Sequence, residues 1–509
     1  MPPPPHQVAV AATGRQALEA GLGVADDGGN AVDAALATAF VALATEPGMV
    51  SFGGGAFVTV WPAGGDPVVV DGNVEMPGRG ADPARFGHGV REVVTDYGGG
   101  VTMHAGHGSV ATPGIVPSFG LAAQRYARLP WARLLEPARA AARGYPMSPA
   151  AARYLAFVAD TLFADDMEAH RLVTGDGGSL LAGGELRAND ALGDTLDELA
   201  VAGPDLFTAG AVGKDLVAAM TEHGGLVTAA DLAAYEPVVR PAHRLGVGDW
   251  VVATNPPPSV GGPMLAVMLA ELARRGDWTW DDVIEIQRAV LSYRTSVHDF
   301  SRDLEADGTD LLARVGEHGL SAMRGSSSTA NVSAVDSDGT ACTITMSSGY
   351  SAGLVIPGTG ILLNNSLGEL ELNRLGIHAL APGTRLASNM APTAARHASG
   401  RTLAIGSPGA DRITTALMLV LGQGCLHGRD LEAAIAHPRL HLRLVGDGFV
   451  IEHERDEKIA AAVARSGMPS HEYAEPHMYF GGVGAAAVSP GGDLMAAGDL
   501  RRDAATGVS

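Results

Sequence analysis

A long alanine-rich segment near the start of the chain constrains the fold more than any other feature. It follows a helix breaker at residues 28–30, where Asn30 is suited to cap a helix and Asp33 falls near the positive end of the helix dipole. The pattern predicts a helix to about Thr45, ended by the Glu-Pro-Gly at residues 46–48. Because this helix is apolar on nearly all sides, it should be buried, and its burial needs a large core.

The composition agrees with a large core and narrows the partners. Hydrophobic residues make up 46% of the 509 residues and charged residues 18%. The net charge of −21 repels phosphate backbones and argues against nucleic acid as a partner. Two cysteines, Cys342 and Cys425, favour free thiols over a disulfide framework. The first residues lack a signal-peptide pattern and no apolar run reaches the ~20 residues that cross a bilayer, so we expect a cytoplasmic protein without a membrane partner.

The remaining chain alternates short strands and helices without a regular βαβ rhythm. A hairpin is clearest, with strands at 330–335 and 340–346 around an Asp-Ser-Asp-Gly turn. Residues 300–328 are polar and show no periodicity, so we predict no regular element there. Further strands are predicted at 56–61, 67–71, 403–406 and 484–488, and helices at 116–129, 134–144, 263–275, 414–422 and 431–436. A sheet sandwich with helices outside fits this order, although periodicity alone leaves other α/β layouts open.

Thr329 is the residue whose position suggests chemistry. It lies between the serine run 326–328 and the first strand of the hairpin. If the chain is cut before Thr329, the freed α-amine can act as the general base for the threonine hydroxyl. Composition alone favours a second interpretation, in which residues 326–329 form an ordinary polar loop.

A set of motifs in order resembles the gamma-glutamyltranspeptidase family over residues 7–130, 225–275 and 326–500. The strongest are Thr329-Ala-Asn-Val-Ser-Ala-Val-Asp, then Asp338-Gly339, then the Pro-Gly-Thr-Gly-Ile-Leu-Leu-Asn-Asn at 357–365. Weaker ones stand at 28–34, 53–55, 112–114, 256–262 and 406–409. The resemblance implies an α/β protein with the four-layer αββα sandwich of N-terminal nucleophile hydrolases. It also implies cleavage between Ser328 and Thr329, giving subunits 1–328 and 329–509 that form one domain as a heterodimer, with a dimer of heterodimers as an option.

The resemblance also assigns the catalytic positions. Thr329 corresponds to the nucleophile, and Ser347, eighteen residues later, to a hydroxyl that helps to orient it. Gly409 and Ala410 fall where the family has a Gly-Gly pair that forms the oxyanion hole. Backbone N–H groups are the donors there, so alanine can still serve. The alternative is an ordinary strand-to-helix turn at Gly409 and Ala410.

The substrate pocket departs from the family pattern. Asn73 (or its neighbour Val74) falls where the family has the arginine that binds the α-carboxylate of glutamate, which removes the strongest carboxylate contact. Ser388 and Asn389 replace a Ser-Ser pair. The amine-binding Gln has become Ser366, and Glu369 stands for an Asp. We therefore expect a small substrate that lacks the full γ-glutamyl head.

The sequence thus predicts an autoprocessed N-terminal-threonine hydrolase that forms an acyl-enzyme with a small non-glutathione substrate. The alternatives are a hydrolase of carbon–carbon bonds in antibiotic biosynthesis, a γ-glutamyl transferase or glutathione hydrolase proper, and an inactive relative. No cofactor is expected. No metal site is expected either, since His104 and His107 have no third ligand nearby. For the basic residues that might bind substrate, a structural or solvated role is favoured; they are Arg79, His104, His107, Arg385 and Arg412.

Overall fold

The computed structural model describes residues 6–95, 100–175, 177–318, 330–446 and 448–509, without the side chains of 314–318. Its helices are α1 Arg15–Asp26, α2 Ala31–Thr45, α3 Ile115–Tyr126, α4 Trp131–Ala142, α5 Pro149–Leu162, α6 Met167–Val173, α7 Asp190–Ala202, α8 Asp205–Thr208, α9 Ala211–His223, α10 Ala229–Ala234, α11 Gly261–Arg275, α12 Trp280–Arg294, α13 Leu304–His318, α14 Arg412–Leu421, α15 Leu431–Ala436 and α16 Glu457–Ser466. Its strands are β1 Val8–Ala12, β2 Gly55–Trp61, β3 Val68–Gly72, β4 Arg91–Thr95, β5 Val101–Ala105, β6 Tyr145–Pro146, β7 Leu186–Arg187, β8 Val238–Pro241, β9 His243–Val247, β10 Trp250–Thr254, β11 Ala330–Asp336, β12 Ala341–Ser347, β13 Val355–Ile356, β14 Ile361–Leu362, β15 Thr393–His397, β16 Thr402–Gly406, β17 Leu440–Val445, β18 Gly448–Glu454, β19 Ser470–Tyr473, β20 Gly484–Val488, β21 Leu494–Gly498 and β22 Ala505–Val508.

Two antiparallel sheets form the centre of the molecule. One has the order β22-β1-β11-β12-β2-β3-β8 and the other the order β21-β20-β16-β15-β10-β9. Strands β1, β11 and β12 of the first sheet lie against β16 and β20 of the second. Since helices cover both outer faces, the architecture is the four-layer αββα sandwich that the sequence predicted.

Small side chains fill the space between the two sheets. Six of the nine residues in the cluster there are alanines. The cluster consists of Ala9, Ala253, Ala341, Ala394, Ala404 and Ala486, with Val335, Val488 and Trp61. Short side chains let the sheets approach closely and leave room for few large groups. Most of the large apolar residues lie in the outer layers instead, and Trp61 is an exception.

The two outer layers carry the main hydrophobic cores. Helix α2 lies against β1, β11 and β12, and every residue of it is buried. Asn30 and Asp33 form a reciprocal capping box at its start, which satisfies backbone N–H groups that a buried helix end must pair. On the other side, α11, α12 and α14 form the second core with the inner strands of the second sheet. Each fully buried Leu or Ile in this second core stabilises the fold by about 1.5–3 kcal/mol.

One prediction from the sequence was wrong. Residues 304–318 form helix α13, although the polar composition of 300–328 predicted no regular element. Leu304 and Leu311, seven residues and two helical turns apart, enter the second core, and α13 packs on α11. Tertiary burial of this narrow apolar stripe outweighs the polar remainder. The β11–β12 hairpin was correctly predicted, and Gly339 in its turn has φ of +87°. Within the described ranges, no helix has both the length and the apolar character needed to cross a membrane.

Candidate active site

Ser328 and Thr329, the predicted cleavage site and nucleophile, lie outside the described residues. The chain is described again from Ala330, the first residue of β11, which pairs with Met346 of β12. Ser347 ends β12 and pairs with Gly55 of β2. Thr329 therefore directly precedes a central strand in the sequence, and the adjacent strand β12 carries Ser347.

Ser347 lies at a crowded corner between strands. Its Oγ accepts a hydrogen bond from the backbone N–H of Gly349, with the two atoms 3.0 Å apart. A Cβ on Gly54 would come within 2.3 Å of the Ser347 carbonyl oxygen, so only glycine fits there. A Cβ on Gly349 would lie 3.2 Å from Glu369 Oε1. The catalytic candidate Ser347 and the substrate candidate Glu369 thus meet at the same loop.

The turn from β16 into α14 contains Gly409 and Ala410. Gly409 has φ of +124° and Ala410 has φ of +67°, a left-handed conformation that costs a non-glycine residue about 1–2 kcal/mol. Both residues are buried, and neither backbone N–H donates a hydrogen bond to any atom of the described residues. Buried N–H groups without a partner are rare in proteins. Such a pair at the start of helix α14 is suited to bind an oxyanion.

The same turn lies close to the strand that follows Thr329. Gly406, three residues before Gly409, leaves no room for a side chain, because a Cβ there would lie 2.0 Å from the side chain of Asn331. Asn331 is the second residue of β11. The turn and the start of β11 therefore face each other across the two sheets.

The predicted substrate residues Asn73, Ser366, Glu369, Ser388 and Asn389 are all buried. Asn73 belongs to the same neighbourhood as Ser347, since a Cβ on Gly55 would lie 3.1 Å from Asn73 Oδ1. Asn73 Nδ2 donates to the Leu386 carbonyl, two residues before Ser388, at 2.8 Å. The structure thus brings the segment after β3, which contains Asn73, next to the segment that contains Ser388 and Asn389.

Two residues that the sequence reasoning missed are Arg294, which contacts this group, and Glu371, which contacts Tyr350, the residue after Gly349. Arg294, fully buried at the end of α12, donates from one guanidinium nitrogen to Asn389 Oδ1 and from Nε to Asp299 Oδ1 at 2.9 Å. Glu371 accepts a hydrogen bond from the Tyr350 hydroxyl at 3.3 Å. Burial raises the pKa of the Glu371 carboxyl despite the positive charge of Arg294. No local motif marks either residue, because both reach the site through long-range packing.

The position of the expected carboxylate-binding arginine is occupied by an internal network. Arg385 donates to the Asn73 carbonyl at 2.8 Å and forms ion pairs with Glu75 at 3.2 Å and Asp71 at 3.7 Å. Its guanidinium also lies 4.5 Å from the ring centre of Tyr235. We call these five residues the Arg385 cluster. Every member already has a partner within the protein.

Two more basic candidates bind protein groups, whereas Nδ1 of His104 is buried without a hydrogen-bond partner among the described residues. Arg79 pairs with Glu75 at 3.2 Å, and Arg412 donates to the Tyr479 carbonyl at 3.0 Å. Burial and the nearby His223 lower the pKa of His107 to about 4, so its ring is neutral at pH 7. Arg79 and Arg412 are thus held by protein groups, while the structural role favoured for the two histidines stays a prediction.

The described residues contain one group of side chains with metal-binding atoms close together, His6, Asp336 and Asp338. Asp338 Oδ2 is bound by Arg128 at 2.8 Å, and Asp336 accepts from the backbone N–H of Ala31 and of Thr340. The two carboxylates are therefore already bound by an arginine and by backbone N–H groups, and these contacts hold the β11–β12 turn in place.

Comparisons with known proteins identify the family and the fold of this chain. The family model described as gamma-glutamyltranspeptidase matches residues 17–509. The glutathione hydrolase proenzyme of Pseudomonas aeruginosa is 30% identical over 483 residues, 86% of this chain and 83% of that protein. The acylase ACY 1 proenzyme of Pseudomonas sp. (strain SE83) is 29% identical over 521 residues, 96% of this chain and 91% of that protein. The crystal structure of cephalosporin acylase from Bacillus halodurans superposes with a TM-score of 0.80 at 23% identity, covering 99% and 96% of the two chains, and confirms the expected fold.

Proposed function

We propose that this chain, which belongs to the gamma-glutamyltranspeptidase family of N-terminal nucleophile hydrolases, cuts itself between Ser328 and Thr329. Thr329 then attacks an amide-like bond of a small acyl substrate. The observation that carries this proposal is the buried pair of N–H groups at Gly409 and Ala410, which have no acceptor among the described residues. They lie in a turn that faces the strand following Thr329. Nothing structural in a β16–α14 connection requires two such donors, whereas an acyl-transfer reaction does.

The reaction divides among the residues as follows. The Thr329 hydroxyl gives its proton to its own α-amine and attacks the substrate carbonyl carbon. The negative charge that forms on the carbonyl oxygen is bound by the N–H groups of Gly409 and Ala410. The amine passes the proton to the leaving group, and an ester to Thr329 remains. Water then attacks this ester by the same route in reverse and releases the acid.

The substrate we infer is an acyl compound other than a γ-glutamyl peptide. Asn73 stands where the arginine would bind the α-carboxylate, and Arg385 nearby is held by Asp71 and Glu75. A bidentate guanidinium–carboxylate contact is strong and specific, and its loss weakens binding of a free amino acid head. The similarity to the acylase ACY 1 proenzyme supports the same choice. Glutathione hydrolysis is therefore the weaker alternative.

We further propose that the two products, 1–328 and 329–509, stay together as a heterodimer. The first sheet interleaves strands from both: β11 and β12 of the second product lie between β1 and β2 of the first. Separating the products would break the hydrogen-bonded ladders on both sides of this hairpin. We expect the heterodimer in the cytoplasm, where a reducing environment keeps Cys342 and Cys425 as the free thiols that the structure shows.

The test is the intact mass of the purified protein under denaturing conditions. Wild type should give two chains that meet between Ser328 and Thr329, and Thr329→Ala should give one. Ser326→Ala is the matched control, since it removes a neighbouring hydroxyl and should leave cleavage intact. A wild-type chain that stays at full length would remove the free amine and with it the proposed mechanism.

The substrate class is tested on the cleaved protein with a panel of p-nitroanilides. Butyryl, glutaryl, 4-aminobutyryl and γ-glutamyl compounds differ in which half of the amino acid head they carry. We expect at least one of the first three to exceed the γ-glutamyl compound in kcat/KM by about tenfold or more, the scale of one lost charged contact. Preference for the γ-glutamyl compound would reassign the protein to glutathione hydrolysis.

A further inference from the structure

Two buried side chains lie directly behind the turn at Gly409 and Ala410, which we call the oxyanion turn. We propose that Asp411 and His441 form a positioning pair that holds Gly409 and Ala410 in the geometry needed for an oxyanion. This inference rests on the proposed function, because it assigns a role to groups that support the same turn. Neither residue is expected to touch the substrate.

Asp411 follows Ala410 and stands at the cap position of helix α14. An aspartate there normally accepts hydrogen bonds from the first N–H groups of the helix. Asp411 makes no such bond. Its Oδ2 instead lies 3.0 Å from Nε2 of His441, and its Oδ1 accepts from the Arg412 guanidinium. The carboxylate is therefore turned away from the helix start, which leaves the end of the helix dipole to act on the turn.

His441 ties the first turn of α14 to the neighbouring strand β17. Its ring is fully buried, and Nδ1 lies 3.1 Å from Thr415 Oγ1. Asp411 and Thr415 are four residues apart, so one imidazole holds two consecutive levels of the same helix face. Rotation or retreat of the helix start would break both contacts.

The charge of Asp411 makes this arrangement necessary. Burial alone raises the pKa of its carboxyl, but the nearby Arg412 and His441 bring that pKa well below its usual range, so the group is ionised. An unbalanced anion next to the turn would oppose the negative charge of the transition state. Arg412 is itself fixed over the Tyr479 ring, 4.6 Å from its centre. Arg412 and His441 thus balance the negative charge of the Asp411 carboxylate and also fix its orientation.

The turn needs support because it is strained. Ala410 holds φ of +67° against a cost that the surrounding structure must offset. On one side the turn meets bare backbone, since a Cβ on Gly409 would lie 2.7 Å from Gly481 Cα. Asp411, with His441 behind it, is the support immediately after the turn along the chain.

The experiment measures sulfonylation of the cleaved protein by phenylmethylsulfonyl fluoride with intact-mass detection. This reagent needs no knowledge of the natural substrate and develops charge on a sulfonyl oxygen. We expect Asp411→Ala and His441→Ala each to lower the maximal labelling rate at Thr329 by about tenfold or more, and to change the half-saturating concentration by less than about threefold. The double variant should be no slower than the slower single one, because the residues act as a unit.

Conservative and control variants separate positioning from general damage. Asp411→Asn keeps an oxygen that accepts from His441 and should recover most of the rate lost in Asp411→Ala. His453→Ala removes a buried histidine on β18, paired in register with Leu440, and should leave the rate unchanged. Losses that multiply in the double variant, or an equal loss in His453→Ala, would overturn the positioning role. Absence of labelling in cleaved wild type would instead overturn the proposed function, and this inference with it.

Discussion

The oxyanion turn and the Arg385 cluster are both buried and polar, but they treat their polar groups in opposite ways. At Gly409 and Ala410, two N–H donors have no acceptor among the described residues, and one residue is in a strained conformation. In the Arg385 cluster, the guanidinium reaches two carboxylates, a carbonyl oxygen and an aromatic ring. In the first region two N–H groups remain for a reacting group to bind, whereas in the second the protein's own side chains occupy the guanidinium.

This difference suggests separate roles for the two regions, one in the chemical reaction and the other in structure. A buried donor without a partner costs about 1–3 kcal/mol, so a fold keeps it where a ligand or transition state repays that cost. A guanidinium already shared by Asp71 and Glu75 offers little to an incoming carboxylate. In our proposal, acyl transfer therefore takes place at the first region, and no binding of a free amino acid head is assigned to the second.

The largest effect is expected at Gly409, where an added methyl group has no room. Gly409→Ala would place Cβ 2.7 Å from Gly481 Cα, at a residue whose φ is +124°. The backbone must therefore move, and both N–H groups would no longer point at the oxyanion. We expect kcat for a hydrolysed p-nitroanilide to fall about 100-fold or more. Gly428→Ala is the control, because it also has positive φ, of +66°, but nothing within 4 Å. An active Gly409→Ala enzyme would contradict the role of this turn.

The closed region should respond in stability and not in catalysis. Arg385→Met removes one partner from each of two buried carboxylates, while Arg240 stays paired with Asp71 and Arg79 with Glu75. We therefore expect a loss of stability below about 3–5 kcal/mol, which is the cost of fully breaking a buried pair. Urea unfolding should show this loss, while KM for uncharged acyl substrates changes little. A selective rise in KM for the glutaryl compound would show that Arg385 binds substrate after all, and would remove the contrast between the two regions.

Glu46 shows what a buried acid does without such an arginine. It is 2% exposed, its Oε2 has no partner among the described residues, and burial raises its pKa from 4.5 to about 8. The folded state therefore holds this proton more tightly than the unfolded state. Its contribution to stability is greatest below pH 4.5 and is lost as the pH rises to about 8. At pH 8 the free energy of unfolding of Glu46→Gln, measured with urea, should exceed that of wild type by a few kcal/mol. Near pH 4 the two proteins should be equally stable. Equal stabilisation at both pH values would exclude ionisation as the cause.

Local signals allowed the sequence to predict much of the fold. Helix α2 carries its own cap at Asn30, and the β11–β12 hairpin carries its own turn, so both could be identified from a few adjacent residues. Helix α13 was missed because Leu304 and Leu311 form a narrow stripe whose value appears only when α11 covers it. Periodicity is a weak signal when the apolar face is one residue wide.

The candidate site divides in the same way. Ser347, Gly409 and Ala410 follow motifs that can be aligned by position along the chain, and the structure gathers them near the start of β11. Arg294 and His441 have no such signal, because each contacts a residue far away in sequence and matters only through that contact. Long-range electrostatic partners of a site cannot be found from composition or spacing.

The smallest effect we predict is a gain, and it tests the strain in the oxyanion turn directly. Ala410→Gly removes the Cβ that disfavours φ of +67° and should raise the free energy of unfolding by about 1 kcal/mol. Ala404→Gly makes the same chemical change in strand β16, where no positive φ is required, and should lower stability by about 0.5–1 kcal/mol or more. If Ala410→Gly is also stable but slower in kcat, the alanine holds the N–H groups in place and the strain contributes to catalysis. If both substitutions destabilise equally, the left-handed conformation carries no cost here, and the contrast between a strained open turn and a relaxed closed cluster fails.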